Sequence, residues 1–127
     1  MKMNKYVLVG LGGCLGSILR FWAGAYISER MGTRFPYGTF FINITGSFLI
    51  GLVVTLLAER THWSPSFRYL IPIGFIGGYT TFSTFELETF QSFRDGEFVM
   101  ALLNVLLSVV VGFIAVWLGA IAGRALD

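Results

Sequence analysis

The stretch GGYTTFSTF, Gly77–Phe85, follows the apolar run YLIPIGFI and precedes two carboxylates, Glu86 and Glu88. It holds two adjacent glycines, four Ser or Thr hydroxyls and two phenylalanines in nine residues. Glycine weakens a helix by about 1 kcal/mol relative to alanine, and Pro72 already disturbs the same segment. The pattern therefore predicts a helix that breaks near Gly77–Thr81.

The composition indicates a membrane protein. Of the 127 residues, 55% are hydrophobic and 13% are charged, with a mean hydropathy of +0.74. Four runs are uncharged or nearly so, and each approaches the roughly 20 apolar residues that a helix needs to cross a bilayer. We predict an all-α membrane protein with a single transmembrane domain, residues 1–127, and four helices. The predicted helices span residues 4–28, 36–59, 66–92 and 97–124.

The sequence lacks the residue combinations on which most enzyme and metal sites depend. Cys14 and His62 are each the only residue of their type, so one chain offers no disulfide and no cysteine–histidine metal site. The histidine falls in a loop far from Ser83, which therefore has no basic partner and is no candidate nucleophile. We predict that the protein is not an enzyme and has no nucleic-acid partner.

Polar side chains inside the predicted spans suggest a function. Such groups are costly in lipid and normally face a bundle interior or a watery path. Either they form hydrogen bonds between helices, or they line a path in which neutral donors, with Arg20 near its mouth, suit a small anion. Asn104 and Ser108 are four apart and share one helix face. The neutral donors are Thr39, Asn43, Thr80, Thr81, Ser83, Thr84, Asn104 and Ser108.

Two phenylalanines follow the predicted break. Phe82 and Phe85 are three apart, so they share a face once the helix resumes. The edge of a phenyl ring carries positive partial charge, so two edges in a narrow path can contact an anion that has shed its water. The alternative is that both rings only pack. A break also frees backbone carbonyls and amides, which transporters use as ion sites.

Small residues recur at the four-residue spacing that lets helices approach closely. The pairs are Gly12 and Gly16, Ser47 and Gly51, Gly74 and Gly78, and Gly119 and Gly123. We expect most of them to pack helices of one chain. Because four helices are few to enclose a hydrated path, we expect some to face a second subunit.

The positive charges are nearly balanced between the two sides of the predicted membrane domain. Five Lys or Arg residues fall on the side of the termini and three on the other. A weak bias permits insertion in both orientations and hence an antiparallel dimer. The five are Lys2, Lys5, Arg60, Arg68 and Arg124, and the three are Arg30, Arg34 and Arg94.

The motif GGYTTFSTF resembles the core motif of the fluoride channels of the CrcB/Fluc family. The resemblance covers essentially the whole chain. It includes GGCLGSILR with Arg20, PYGTFFINITGSFLIG with Asn43, Glu88 after the motif, and the serine-bearing fourth helix.

This resemblance implies an antiparallel, dual-topology homodimer with a pair of pores in a bacterial inner membrane. It implies passive fluoride export, which lowers cytoplasmic fluoride and gives fluoride resistance. It also implies a structural sodium ion at the dimer centre, bound by the backbone carbonyls of Gly77 and Thr80. The implied pore residues are Phe82, Phe85, Asn43, Ser108, Thr39, Ser83, Thr84 and Glu88, with Arg20 at a vestibule.

Three positions depart from the family pattern. Tyr79 stands where an aliphatic residue is common, Glu86 adds a second carboxylate beside Glu88, and Gly112 has no hydroxyl one turn beyond Ser108. Two other functions stay open. A four-helix multidrug or cation exporter would need a carboxylate within its first helix, where this chain has Arg20. A non-transporting membrane assembly protein would need neither donors nor a broken helix.

Overall fold

The computed structural model describes residues 3–60 and 62–126, which form helices joined by short connections and no strand. Helix α1 spans Lys5–Met31, and α2 spans Tyr37–Glu59. Gly32, with a φ of 85°, follows α1, so the helix ends at Met31 rather than at residue 28. The predicted end is too early because nothing before Gly32 interrupts the helical pattern.

The third span consists of two helical halves separated by two extended residues. The first half comprises α3 (Ser66–Arg68), a π-helix (Tyr69–Ile76) and α4 (Gly77–Tyr79), and the second half is α5 (Phe82–Arg94). Thr80 and Thr81 join the halves with ψ angles of 157° and 115°. The break thus lies within the predicted range, but at the threonines.

The two glycines before the break stay helical, in contrast to the sequence argument that they cause it. Gly78 serves close packing instead, because a Cβ there would lie 2.6 Å from the carbonyl oxygen of Gly13 in α1. A Cβ on Gly77 would meet nothing nearer than 3.8 Å. Pro72, which has no amide hydrogen to donate, lies inside the π-helix.

Helix α6 spans Phe98–Ala125 and completes the bundle. By length and composition, α1, α2 and α6 can each cross a membrane, whereas each half of the third span is shorter than the roughly 20 residues required. Helix α6 packs along α2, and the π-helix packs along α1. The third span changes neighbours at the break, because its second half, α5, packs against α6.

Glycines allow the helices of this one chain to approach closely. Gly12 and Gly16 lie against the backbone of the first half of the third span, and Gly119 and Gly123 lie against α2. Gly51 in turn contacts the backbone of α6. The glycines of the predicted small-residue pairs therefore pack helices within the chain, and they do not support the expectation that some of them face a second subunit.

Candidate functional site

A side chain of α2 holds the break in the third span. Asn43 donates from Nδ2 to the carbonyl oxygen of Thr81 at 3.0 Å, and its Oδ1 accepts the Thr81 amide at 2.8 Å. One amide side chain thus satisfies both backbone groups of a residue outside any helix. In lipid each unpaired backbone group costs several kcal/mol, so Asn43 stabilises the extended conformation directly.

Helix α1 contributes a second bond to the break. Arg20 donates from Nε to the carbonyl oxygen of Gly78 at 2.9 Å. This bond ties α1 to the last helical residues before Thr80. Arg20, predicted at a vestibule, lines neither of the two polar cavities described below.

Helix α5 begins with a threonine cap. The hydroxyl oxygen of Thr81 accepts the amide of Thr84 at 3.2 Å, and the same hydroxyl donates to Thr84 Oγ1 at 3.1 Å. Ser83 Oγ lies 3.5 Å from Thr81 Oγ1 and is exposed. Thr84 and Ser83 therefore brace the helix start, and neither lines the adjacent cavity.

Two backbone carbonyls at the break lack a donor among the residues described. In a continuous helix the Thr81 amide would bond Gly77, but here it bonds Asn43. The Thr84 amide would bond Thr80, but here it bonds the Thr81 hydroxyl. The carbonyl oxygens of Gly77 and Thr80 consequently receive no hydrogen bond within residues 3–60 and 62–126.

A cavity of about 350 Å³ lies beside the break. Its polar lining comes from α2, α6 and the break, and no charged side chain lines it. The polar residues are Asn43, Ser47, Thr80, Thr81 and Ser108. The cavity therefore offers neutral hydrogen-bonding groups in an otherwise apolar enclosure.

Both predicted ring residues line this cavity. The ring of Phe85 is buried, with 6% of its surface exposed, whereas Phe82 is 75% exposed. Their ring centroids are 5.8 Å apart and the planes are inclined by 51°. The two rings are therefore neighbours in different environments, one inside the chain and one on its surface.

A second, more polar cavity of about 380 Å³ lies where α1 ends and α2 begins. Thr39 donates to Glu88 Oε1 at 2.6 Å within its lining. Arg34, Asp95 and Glu97 also line it. Because Thr39 and Asn43 are one turn apart on α2, the two cavities lie in succession along that helix.

Helix α6, the fourth span, contributes a series of hydrogen-bonded side chains. Ser108 donates to Asn104 Oδ1 at 3.2 Å, and Asn104 donates from Nδ2 to Thr89 Oγ1 at 2.9 Å. The sequence pattern does not indicate Thr89, whose hydrogen-bond partner Asn104 lies on another helix. Ser47 is a further lining residue that was not predicted, although the spacing of Thr39, Asn43 and Ser47 could have indicated it.

The site lies within a recognisable family domain. The family model described as CrcB-like protein, Camphor Resistance (CrcB) matches residues 7–120, which include the break and both cavities. The chain belongs to the CrcB-like family. As a CrcB-like chain with three long apolar helices, it is a multi-pass membrane protein.

Relatives in this family match the chain over nearly its full length. The Fluoride-specific ion channel FluC of Acidobacterium capsulatum is 52% identical over 120 residues, covering 94% of this chain and 96% of the relative. That of Solibacter usitatus is 50% identical over 120 residues, covering 94% and 98%. That of Geotalea daltonii is 44% identical over 122 residues, covering 96% and 98%.

The role of Asn43 gives a direct prediction. Asn43→Ala removes both partners of the Thr81 backbone and should lower the free energy of unfolding by about 1–3 kcal/mol. Hydrogen exchange at the Thr81 amide should accelerate. The matched control is Asn4→Ala, which removes the exposed cap of α1 and should leave Thr81 exchange unchanged. Equal Thr81 exchange in Asn43→Ala and wild type would contradict this role.

Proposed function

We propose that this protein is a fluoride-selective ion channel that lets fluoride leave the cell passively and so lowers cytoplasmic fluoride. Relatives named as fluoride-specific ion channels are up to 52% identical to the chain and cover almost all of it. The observation that carries the proposal is the uncharged cavity with neutral donors and two phenyl rings beside the broken helix. The protein binds and conducts an ion and carries out no enzymatic reaction.

The chemistry of the cavity suits a small anion. Fluoride holds its water strongly, so a path must replace that water with donors such as amides and hydroxyls. The lining provides these groups and two phenyl rings, whose edges carry positive partial charge. Since no fixed positive charge lines the cavity, an anion would be stabilised without being held too tightly to leave. Thr39 and Glu88 would form the polar entrance one turn away.

The two alternative functions lack such support. A proton-coupled cation exporter needs a carboxylate in the membrane-spanning part of its first helix. There α1 carries Arg20, bound to the Gly78 carbonyl, and its one carboxylate, Glu29, is exposed near the C-terminal end of the helix. An assembly protein needs no cavity of donors beside a broken helix. We place the channel in a bacterial inner membrane.

Loss of either ring should reduce conduction. We expect Phe82→Ile or Phe85→Ile to slow fluoride release from proteoliposomes by about tenfold or more, equivalent to ~1.4 kcal/mol or more in the barrier. The reason is that isoleucine keeps apolar bulk but has no positive ring edge. The matched control is Phe21→Ile in α1, at a ring that is 80% exposed, which should conduct like wild type. Normal release by both cavity variants would show that these rings only pack.

We further propose that two chains form an antiparallel dimer over the open side of the cavity. The support is the 75% exposed ring of Phe82 on that side, together with carbonyls that lack donors. The weak charge bias of the sequence is compatible with two orientations, although one of its charges, Lys2, lies outside the described residues.

Dual insertion has a direct test. A tag at the C-terminus, labelled from each side of the membrane in cells, should be reached from both sides in comparable amounts. Labelling from one side only would exclude the antiparallel dimer.

We also propose that the dimer holds a structural sodium ion through the carbonyl oxygens of Gly77 and Thr80. The fit rests on these oxygens, which receive no donor among the described residues, at a position where a Cβ on Gly77 would meet nothing nearer than 3.8 Å. Neutral oxygens suit a hard monovalent cation, whereas divalent ions usually recruit carboxylates. When bound, the ion would supply positive potential near both pathways.

Sodium should accordingly be required for conduction but not transported. Prolonged replacement of sodium by N-methylglucamine on both sides of the membrane should abolish fluoride release, and restored sodium should recover it. When radioactive sodium is present only outside the proteoliposomes, no sodium should enter them while fluoride leaves. Undiminished release without sodium would refute the sodium site while leaving the fluoride pathway intact.

A further inference from the structure

A partly buried series of hydrogen bonds reaches the cavity from α5 through α6. It starts at the carbonyl oxygen of Phe85, which accepts the Thr89 hydroxyl at 2.8 Å. Thr89 Oγ1 accepts from Asn104, and Asn104 Oδ1 accepts from Ser108. Asn104 is 2% exposed and lines neither polar cavity, whereas Ser108 lines the cavity beside the break.

The direction of every hydrogen bond in this chain is fixed by its first member. A carbonyl oxygen only accepts, so the Thr89 hydroxyl donates to Phe85 and its oxygen must accept from the next residue. The Asn104 NH₂ group therefore faces Thr89. Its Oδ1 consequently faces Ser108, whose hydroxyl is the donor.

Ser108 differs on this point from Thr45 and Thr89, which also lie inside helices. Hydroxyls inside a helix commonly donate to the carbonyl four residues earlier. Thr45 and Thr89 each do so, both at 2.8 Å. Ser108 instead donates to the side chain four residues earlier. The Asn104 side chain therefore accepts the bond that the Ser108 hydroxyl would otherwise donate to the backbone carbonyl of residue 104.

We propose that Asn104 is a positioning residue that holds the Ser108 hydroxyl ready to turn its proton toward an anion in the cavity. The inference rests on the proposed fluoride function. When the hydroxyl rotates about its Cβ–Oγ bond, the anion gains a donor and Asn104 Oδ1 loses one. This exchange limits the net gain, because a buried acceptor is left unpaired, and it favours release of the anion.

The test compares the effect of Asn104→Leu in the wild-type protein with its effect in Ser108→Ala, where the serine hydroxyl is absent. Fluoride release from proteoliposomes is measured with a fluoride electrode for Asn104→Leu, Ser108→Ala and the double variant. Without the Asn104 oxygen, Ser108 should bond the carbonyl of residue 104 and no longer serve the anion. All three proteins should therefore release fluoride at one reduced rate, about threefold or more below wild type, because the bond to the anion is partly offset by the one that Asn104 Oδ1 loses.

A milder pair of substitutions keeps the test decisive if Asn104→Leu does not fold. Thr89→Val removes the acceptor that orients the amide, so it should lower release in the wild-type background and have no effect in Ser108→Ala. Thr89→Ser restores a hydroxyl and should recover release. The matched control is Thr45→Val, which removes a hydroxyl bonded to Tyr79 and not part of the Thr89–Asn104–Ser108 series. It should change release by the same factor in the wild-type and Ser108→Ala backgrounds.

The outcomes separate this inference from the proposed function. If wild type releases fluoride but Asn104→Leu or Thr89→Val lowers release equally with and without Ser108, these residues act only structurally and the inference is wrong. If Asn104→Leu and Thr89→Val fold and both conduct like wild type, the inference is also wrong. If the folded wild-type protein releases no fluoride, both the proposed function and the inference fail.

Discussion

The side-chain amide of Asn43 forms the two hydrogen bonds that the Thr81 backbone would form in a continuous helix. The rest of the site depends on these two bonds. A polypeptide cannot leave a helix inside a membrane unless its backbone groups find other partners. Here one side chain provides both, at 2.8 and 3.0 Å. Arg20 binds the carbonyl of Gly78 just before the break, and the Thr81 hydroxyl caps the helix just after it. Hydrogen bonds from the side chains of Asn43, Arg20 and Thr81 thus stabilise the break.

Several features follow from this local arrangement. Because the amides of Thr81 and Thr84 have side-chain partners, the carbonyls of Gly77 and Thr80 are left without their helical donors. Because the backbone is extended for two residues, the third span changes direction at the break. Its first half packs against α1, and its second half, α5, packs against α6. That displacement places Phe85 beside the cavity and brings Thr89 within 2.9 Å of Asn104. The bidentate Asn43 contact and the Thr81 cap together therefore leave the two carbonyl oxygens available and direct α5 toward the polar residues of α6.

The sequence allowed the helical architecture and the region of the break to be predicted, because hydropathy and proline or glycine content act locally. It did not allow the cause of the break to be predicted. Gly78 is required by its contact with Gly13, and of the two extended threonines Thr81 is held by Asn43 from another helix. The partner of Arg20 and the Thr89–Asn104 bond were hidden for the same reason. Tyr79, an apparent departure, is accommodated by a 2.7 Å bond between its hydroxyl and Thr45.

The central claim is that the cavity beside this break conducts fluoride and excludes larger anions. The most direct measurement uses purified protein in liposomes loaded with both fluoride and chloride, with a potassium ionophore to prevent charge build-up. Electrodes selective for each anion then record release. The account predicts rapid loss of fluoride while chloride stays inside. Retention of fluoride, or equal release of both anions, would contradict it.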